Sequence, residues 1–402
     1  MKITMPVGPF MNLAKQVLQF SGRGREVDPG LSLVHVKVTA KGHLRLSAHD
    51  ASAGARVQSP VPGEDFEPGA MAVDREQLDR LTSILPNNGH VTLGPTFGPK
   101  IKVTMGDKRL RLSLPFQDQD NFPKMPKPPA DGWFEVAGDR LMDIVNRCLW
   151  SMCKDDSRPA LSGVHMCSEC SESADGMMMS NLQPGIVPAG QDVVVPGDSW
   201  NKLRALVDNG QRLRMCIESN RVWLRHQDWA VYSLLIASSF PPLSNLIFDV
   251  DGDGNHFVDD ENRVRVYWIT VNRHEALSVV RRIVGASVSQ EEKKLGAAVS
   301  FVLYGDELHF VSHYPFDDLS NSIIVDERVD WGEGSVKADD LEGFTWLRNI
   351  GIYGQFMRWA LSSLSSDVIK IMWAEGDGIG SMPMQFHDEG AGAVAAVMPR
   401  RI

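Results

Sequence analysis

PFMNLAKQVL (residues 9–18), RLMDIVNRCL (140–149) and EALSVVRRIV (275–284) carry their apolar residues at one shared spacing: Phe10, Leu13, Val17, Leu18; Leu141, Ile144, Cys148, Leu149; Ala276, Val279, Ile283, Val284. Residues three, four and seven positions apart fall on one side of an α-helix, so each stretch predicts an amphipathic helix with one buried stripe. Three copies, 131 and 135 residues apart, predict an internal repeat.

A second helix follows in each copy. Leu78, Leu81, Ile84 and Leu85 in AVDREQLDRLTSILP (72–86) recur at the spacing of Trp200, Leu203, Leu206 and Val207 in VVPGDSWNKLRALV (194–207). The third copy, IYGQFMRWALSSL (352–364), keeps Met357, Ala360 and Leu364 but has Ser363 where the others are apolar. Alternating strands come next, with Val91 and Leu93 in the first copy, Leu213 and Met215 in the second, then RLRLSL (109–114) and WAVYSLLI (229–236). The first two copies close on Asn121-Phe122-Pro123 and Ser239-Phe240-Pro241. The unit is α+β, two helices with six to eight short strands. Helices that cover one sheet face favour side-by-side stacking of copies into continuous sheets. Cuts at the Pro-rich KMPKPPADG (124–132) and the Asp/Gly-rich 249–256 give domains 1–128, 129–256 and 257–402.

The 402 residues are 43% hydrophobic and 23% charged, with a net charge of −10, which argues against a surface that coats nucleic acid or anionic membrane throughout. Its distribution is uneven. Residues 1–128 hold 17 Lys/Arg against 12 Asp/Glu, residues 129–256 hold 10 against 17, and residues 257–402 hold 14 against 22. Opposite the buried stripe of the first helices stand Lys15, then Asn146 and Arg147, then Arg281 and Arg282; the second helices carry Arg80, Lys202 and Arg358. Lys and Arg are ordinary residues of any solvated helix face. Their recurrence at matched positions in an acidic chain predicts a basic lining that holds phosphates without reading bases. No apolar run is long enough for a membrane span and the N-terminus lacks a secretory pattern, so a cytoplasmic protein is expected. Five Cys, all between Cys148 and Cys216, are expected to stay reduced.

The motifs in order resemble those of the bacterial DNA polymerase III β sliding clamps. LSAHDASAGARV (46–57) is similar to the family's Leu-Thr-Ala-Thr-Asp-Leu-Glu strand and turn, and FEPGAMAVDREQLDRLTSILP (66–86) to its Pro-Gly, Val-Pro and helix-Leu-Pro stretch. DNFPKMP (120–126) resembles the domain-closing Phe-Pro, and CKDDSRPALSGVHM (153–166) the Asp-Glu-x-Arg-x-x-Leu-x-Gly segment. NIGIYGQFMRWALSSL (349–364) and the terminal AVAAVMPRRI (393–402) complete the series. The resemblance implies three clamp domains, helices inside and curved antiparallel sheets outside, closed head to tail as a homodimeric ring. It implies double-stranded DNA as a non-sequence-specific partner, a replicative polymerase, a clamp loader, no catalysis and no required cofactor. DNA contacts would come from the basic set above with Arg23 and Arg25 in the loop after the first helix, and Lys154. A partner-peptide groove would use Leu161, Gly176, Met177, Met179, Pro241, Leu246, Phe356, Pro383, Met398, Pro399 and Arg401. The subunit boundary would involve Leu110, Leu112, Ile283 and Val284. The alternative is a monomeric clamp-like hub that binds peptides or DNA without encircling it.

The chain departs from the family where the groove should be. Thr-Asp-Gly-His-Arg-Leu becomes Ala174-Asp175-Gly176-Met177-Met178-Met179, and the terminal Met-Pro-Met-Arg-Leu becomes Met398-Pro399-Arg400-Arg401-Ile402. Methionines make adaptable walls, so an altered partner motif is expected. Asp249, Asp251, Asp253 and Asp260, with Gly254 at the sixth position, fit a calcium-loop spacing, but His256 at the eighth position and Asp rather than Glu at the twelfth favour a solvated acidic linker. Cys167-x-x-Cys170 near His165 lacks the second half of a zinc site and reads as reduced hairpin thiols. No Walker loop, GxSxG or HExxH occurs.

Overall fold

The computed structural model describes residues 1–402 except 23–27, 64–65, 96–99, 106–110, 156, 250–254, 258–262, 286–297, 305–306, 314–323, 331–349, 376–381 and 402. Six α-helices occur among the described residues: α1 (Val7–Leu18), α2 (Arg75–Ile84), α3 (Gly138–Cys148), α4 (Gly197–Leu203), α5 (Arg273–Gly285) and α6 (Gly354–Ser363). They are the pairs the repeats predict. Phe10, Leu13, Val17 and Leu18 are buried, as are Leu141, Ile144 and Cys148, and Ala276, Val279 and Ile283. Each Phe, Leu, Val or Ile among them contributes about 1.5–3 kcal/mol when removed from water.

One stripe residue behaves otherwise. Ile84 is 54% exposed, while Thr82 is buried with Leu78, Leu81 and Leu85. Position 84 lies six residues after Leu78, well off the face set by 78, 81, 82 and 85. The matched Leu206 is buried because α4 ends at Leu203 and the chain turns beneath it. Asp74 starts α2 by accepting the N–H groups of Glu76 and Gln77 at 2.9 and 3.3 Å.

The chain forms two compact units, residues 1–142 with 198–236, and residues 143–197 with 237–402. In the first, an eight-stranded antiparallel sheet runs in the order Phe134–Ala137, Arg212–Ile217, Arg221–Arg225, Trp229–Leu234, Ala53–Pro60, His43–His49, Leu33–Val38, Gly69–Asp74. Trp229 lies opposite Val57 and Val231 opposite Ala55, so strands of the middle and first thirds share one ladder. A five-stranded sheet ends on the edge strand Arg111–Pro115. Helices α1 and α2 pack on each other and α1 covers the strands Ala53–Pro60 and His43–His49.

The second unit repeats the device with nine strands in the order Val193–Pro196, Gly163–Met166, Ser171–Ala174, Met178–Leu182, Ala393–Val397, Met384–Asp388, Val368–Glu375, Arg263–Asn272, Asn255–Phe257. Met179 faces Ala396 and Asn181 faces Val394, which joins the middle and last thirds. Helices α5 and α6 pack together. Continuous sheets across copies are therefore present in both units, and the middle third supplies strands to each. All five cysteines are unbridged.

The Phe-Pro corners have a shared role. Phe122 stacks on His35 with ring centres 5.4 Å apart, and Phe240 stacks on His165 at 4.9 Å. Each corner folds the end of a repeat back over its own sheet.

Candidate functional site

The basic set divides by burial. Lys15 on α1, Arg80 on α2, and Arg281 and Arg282 on α5 are exposed on faces opposite the cores, and Lys154 is exposed in the loop after α3. Arg80 reaches Glu76 at 3.5 Å across one helical turn, and Arg282 donates to Ser278 Oγ at 3.0 Å. Arg358 is half-buried on α6. Arg23 and Arg25 lie outside the described residues.

Two members of the set are internal ion pairs. Arg147 is 7% exposed, with Nη1 3.5 Å from Asp388 Oδ2, Nε 3.6 Å from Asp143, and Nη2 donating to Ser365 Oγ at 2.7 Å. Its placement on a solvated face is thereby corrected, because a turn more than two hundred residues downstream covers it. Lys202 is half-buried and pairs with Asp50, whose carboxyl, although burial raises it, is held below the usual range by that ammonium and by the N–H groups of Ser52 and Ala53. Neither cation is available to a phosphate without breaking a pair.

In the second unit, Ala174, Met179, Leu243 and Ala396 form a buried apolar cluster against which Leu161, Phe240 and Ile247 pack. Met177 and Leu246 stand beside it, 42% and 40% exposed, among the few exposed large apolar side chains of the described residues. Gly176, at φ +94°, makes the turn that presents Met177, and Asp175 Oδ1 accepts the N–H groups of Met177 and Met178 at 2.8 and 2.7 Å. The N–H of Met398 donates to the Met177 carbonyl at 2.7 Å, tying the C-terminal segment to this wall. Pro241 is exposed, Met398 and Pro399 are half-buried, and Pro383 is buried. Phe356, 8% exposed, belongs to a separate ring cluster with Tyr353 and Trp359. The backbone of Arg401 pairs with Ile350.

A cleft of about 680 Å³ adjoins this cluster, lined by His165, Cys167, Cys170, Glu172, Asp192, Phe240, Leu243 and His387 among others. Across its floor, His165 Nδ1 meets Glu172 Oε1 at 2.9 Å, His165 Nε2 meets Asp192 Oδ1 at 2.7 Å, and Asn181 donates to Glu172 Oε2 at 3.1 Å. Burial pulls the His165 pKa down, but the two carboxylates outweigh it and hold the ring above its ordinary value. Burial, aided by the Lys370 charge and opposed by Glu389, pushes His387 down to about 4. Reading the sequence missed this row. Its signal is the recurrence of Leu-Ser-x-Val-His at 31–35 and 161–165, each ahead of the histidine that a Phe-Pro corner stacks upon.

Of the subunit-boundary residues, Leu110 lies outside the described residues and Leu112 is half-buried on the edge strand Arg111–Pro115. Ile283 is fully buried, so it is core rather than contact surface; Val284 is half-buried. Asp249 is exposed, whereas Asp251, Asp253 and Asp260 lie outside the described residues. No group of three or more metal-ligating side chains occurs among the described residues, so Cys167 and Cys170 have no third zinc ligand there. No helix among them is long and apolar enough to cross a membrane.

No family model matches the chain. A β sliding clamp of Halalkalibacterium halodurans is 25% identical over 145 residues, 32% of this chain, and the match spans 37% of that relative's length, little more than a third. The β subunit of the Streptococcus pyogenes DNA polymerase superposes with a TM-score of 0.79 at 15% identity, covering 100% of both chains. The DnaN sliding clamp of Pseudomonas aeruginosa, solved bound to griselimycin, gives 0.79 at 18% identity with the same coverage. From end to end the chain has the fold of the bacterial DNA polymerase III β subunits, and the β sliding clamps are the proteins its sequence is similar to.

Proposed function

We propose that the chain is a DNA sliding clamp, a ring around duplex DNA that keeps a replicative polymerase on its template. The observation that carries the reading is the full-length match in fold: two helices and a set of strands in three successive copies, with neighbouring copies sharing one sheet. Such a protein acts without catalysis and needs no cofactor. A closed ring cannot leave duplex DNA sideways, so phosphate contacts can stay weak enough for sliding. Lys15, Arg80, Lys154, Arg281 and Arg282 are exposed cations suited to those contacts. The half-buried Leu112 and Leu114 on the open edge strand Arg111–Pro115 support closure by strand addition from a second copy. A clamp loader would open the ring, and the work is cytoplasmic.

The groove around Met177, Met179, Leu243 and Leu246 suits a short peptide with aliphatic or aromatic anchors, and its occupant gains retention through raised local concentration. With Met177 and Met179 on its wall, it is expected to bind the family's usual peptide less tightly than a typical clamp does; equal affinity in a titration would reject this. The ring itself is tested by loading the protein on nicked circular duplex and then linearising the DNA. Retention on circles and loss from linear molecules supports the reading. Equal loss from both, with a monomer mass near 44.5 kDa in solution, favours a hub that does not encircle DNA.

A further inference from the structure

The turn Cys167-Ser168-Glu169-Cys170 joins the strands Gly163–Met166 and Ser171–Ala174 and carries two of the five thiols. The Cys167 N–H donates to the Cys170 carbonyl at 2.9 Å, closing a tight hairpin turn, and the Cys170 N–H donates to Cys167 Sγ at 3.3 Å. The two sulfurs are thereby held 3.5 Å apart, in van der Waals contact. Residues at the two ends of a four-residue turn lie within about 7 Å at Cα, which overlaps the separations a disulfide spans. Both thiols are half-buried and line the cleft, whereas Cys148, Cys153 and Cys216 are buried. A small solute therefore reaches the pair and not the other three.

We propose that Cys167 and Cys170 are a redox-modification site, converted to an intramolecular disulfide by a peroxide that enters the cleft. Burial, the Glu172 carboxylate and the Cys167 sulfur all push the Cys170 thiol up, so Cys170 is the poor first nucleophile and Cys167 attacks. The Cys167 thiolate forms an S–O bond as the O–O bond breaks, giving a sulfenic acid, and the departing hydroxide takes up a proton to become water. Cys170 sulfur then attacks Cys167 sulfur; the S–S bond forms, the S–O bond breaks, and the leaving oxygen departs as a second water with the Cys170 proton. Two thiols lose two electrons and one peroxide becomes two waters. The bridge acts on the cleft because the turn is wedged: a Cβ on Gly185 would lie 1.9 Å from the Cys167 carbonyl oxygen. The loop after Gly185 leads to Asp192, the partner of His165.

The test is independent of DNA or peptide binding. The full chain is treated with hydrogen peroxide near stoichiometry, denatured, alkylated and weighed. Five labels before treatment should become three, the missing pair mapping to one peptide bridged between Cys167 and Cys170. Cys170→Ser should accumulate a sulfenic acid at Cys167 that a cyclic dione traps, and Cys167→Ser should keep its four labels. Five labels after treatment, a bridge to Cys148, Cys153 or Cys216, or a bridge between two chains would each overturn the proposal.

Discussion

His35 and His165 occupy the same place in successive repeats, yet their neighbours give them opposite responses to acid. His35 is lowered by burial and by the Lys37 and Arg56 charges, whereas His165 is raised by Glu172 and Asp192 in spite of burial. A raised folded value means the proton favours the native state. The stabilisation from His165 is thus fully present below the ordinary value of 6.5 and is lost as pH rises through its folded pKa. For His35 the sign reverses: its contribution is present above 6.5 and falls away as pH drops through its depressed folded value. Urea unfolding of His165→Gln against the native chain should show a stability gap that is wide in mild acid and narrows toward alkaline pH. A gap independent of pH would show that the carboxylates do not hold the ring charged. Asp388 is a firmer anchor. It is fully buried; against the raising effect of burial, the Ser366 hydroxyl and the N–H groups of Ser366, Ser365 and Ala391, the last three at 3.0, 2.7 and 3.1 Å, hold its carboxyl at about 2. Asp388→Ala should cost about 3–5 kcal/mol in equilibrium unfolding, because Arg147 would lose its one fully buried carboxylate and keep only the more exposed Asp143. In the native chain this contribution should be fully present above the ordinary value of 3.8 and be lost as pH falls through about 2.

The six helices were legible because a buried stripe writes itself into spacing, and spacing survives when identity does not. What spacing cannot show is where a helix stops and what arrives from far away. Ile84 and Leu206 occupy matched positions, but α2 continues to Ile84 and turns that side chain to water, while α4 has ended three residues before Leu206. Arg147 looked like a solvated cation because its cover, Ser365 and Asp388, is remote in sequence. The sheet joints were expected as a principle, but the pairing of Met178–Leu182 with Ala393–Val397 could not be read from either strand alone. Nor could the His165 row, since its members come from three strands and a loop. The helix boundaries give a direct measurement. Asp74→Ala removes the acceptor of two α2 N–H groups and should cost about 1 kcal/mol. Ile84→Ser should change stability by less than about 0.5 kcal/mol, whereas Leu81→Ala on the buried face should cost about 2–5 kcal/mol. A large loss at position 84 would show that this face is covered by something other than water.

A chain with a net charge of −10 should be repelled by DNA at long range, so any attraction must come from where its cations stand. Burial already removes two of them: Arg147 and Lys202 each face a carboxylate of the chain itself. The proposed clamp therefore depends on Lys15, Arg80, Arg281 and Arg282, whose exposure leaves them able to reach phosphates. Each phosphate contact releases condensed counterions, so changing one of these residues to alanine should flatten the plot of log affinity against log salt by about 0.9 for duplex DNA. The loss should be the same for duplexes of unrelated sequence, because a point charge on a flexible stem does not read base edges. Lys202→Ala provides the contrast. It breaks the pair with Asp50 and should lower the resistance of the chain to urea while leaving the salt slope unchanged. Fluorescence anisotropy of labelled duplex over a salt series, on variants first checked for native unfolding curves, separates the two effects. A slope that falls with Lys202→Ala and stays fixed with Arg281→Ala would place the DNA on another face and remove the electrostatic basis of the sliding mechanism.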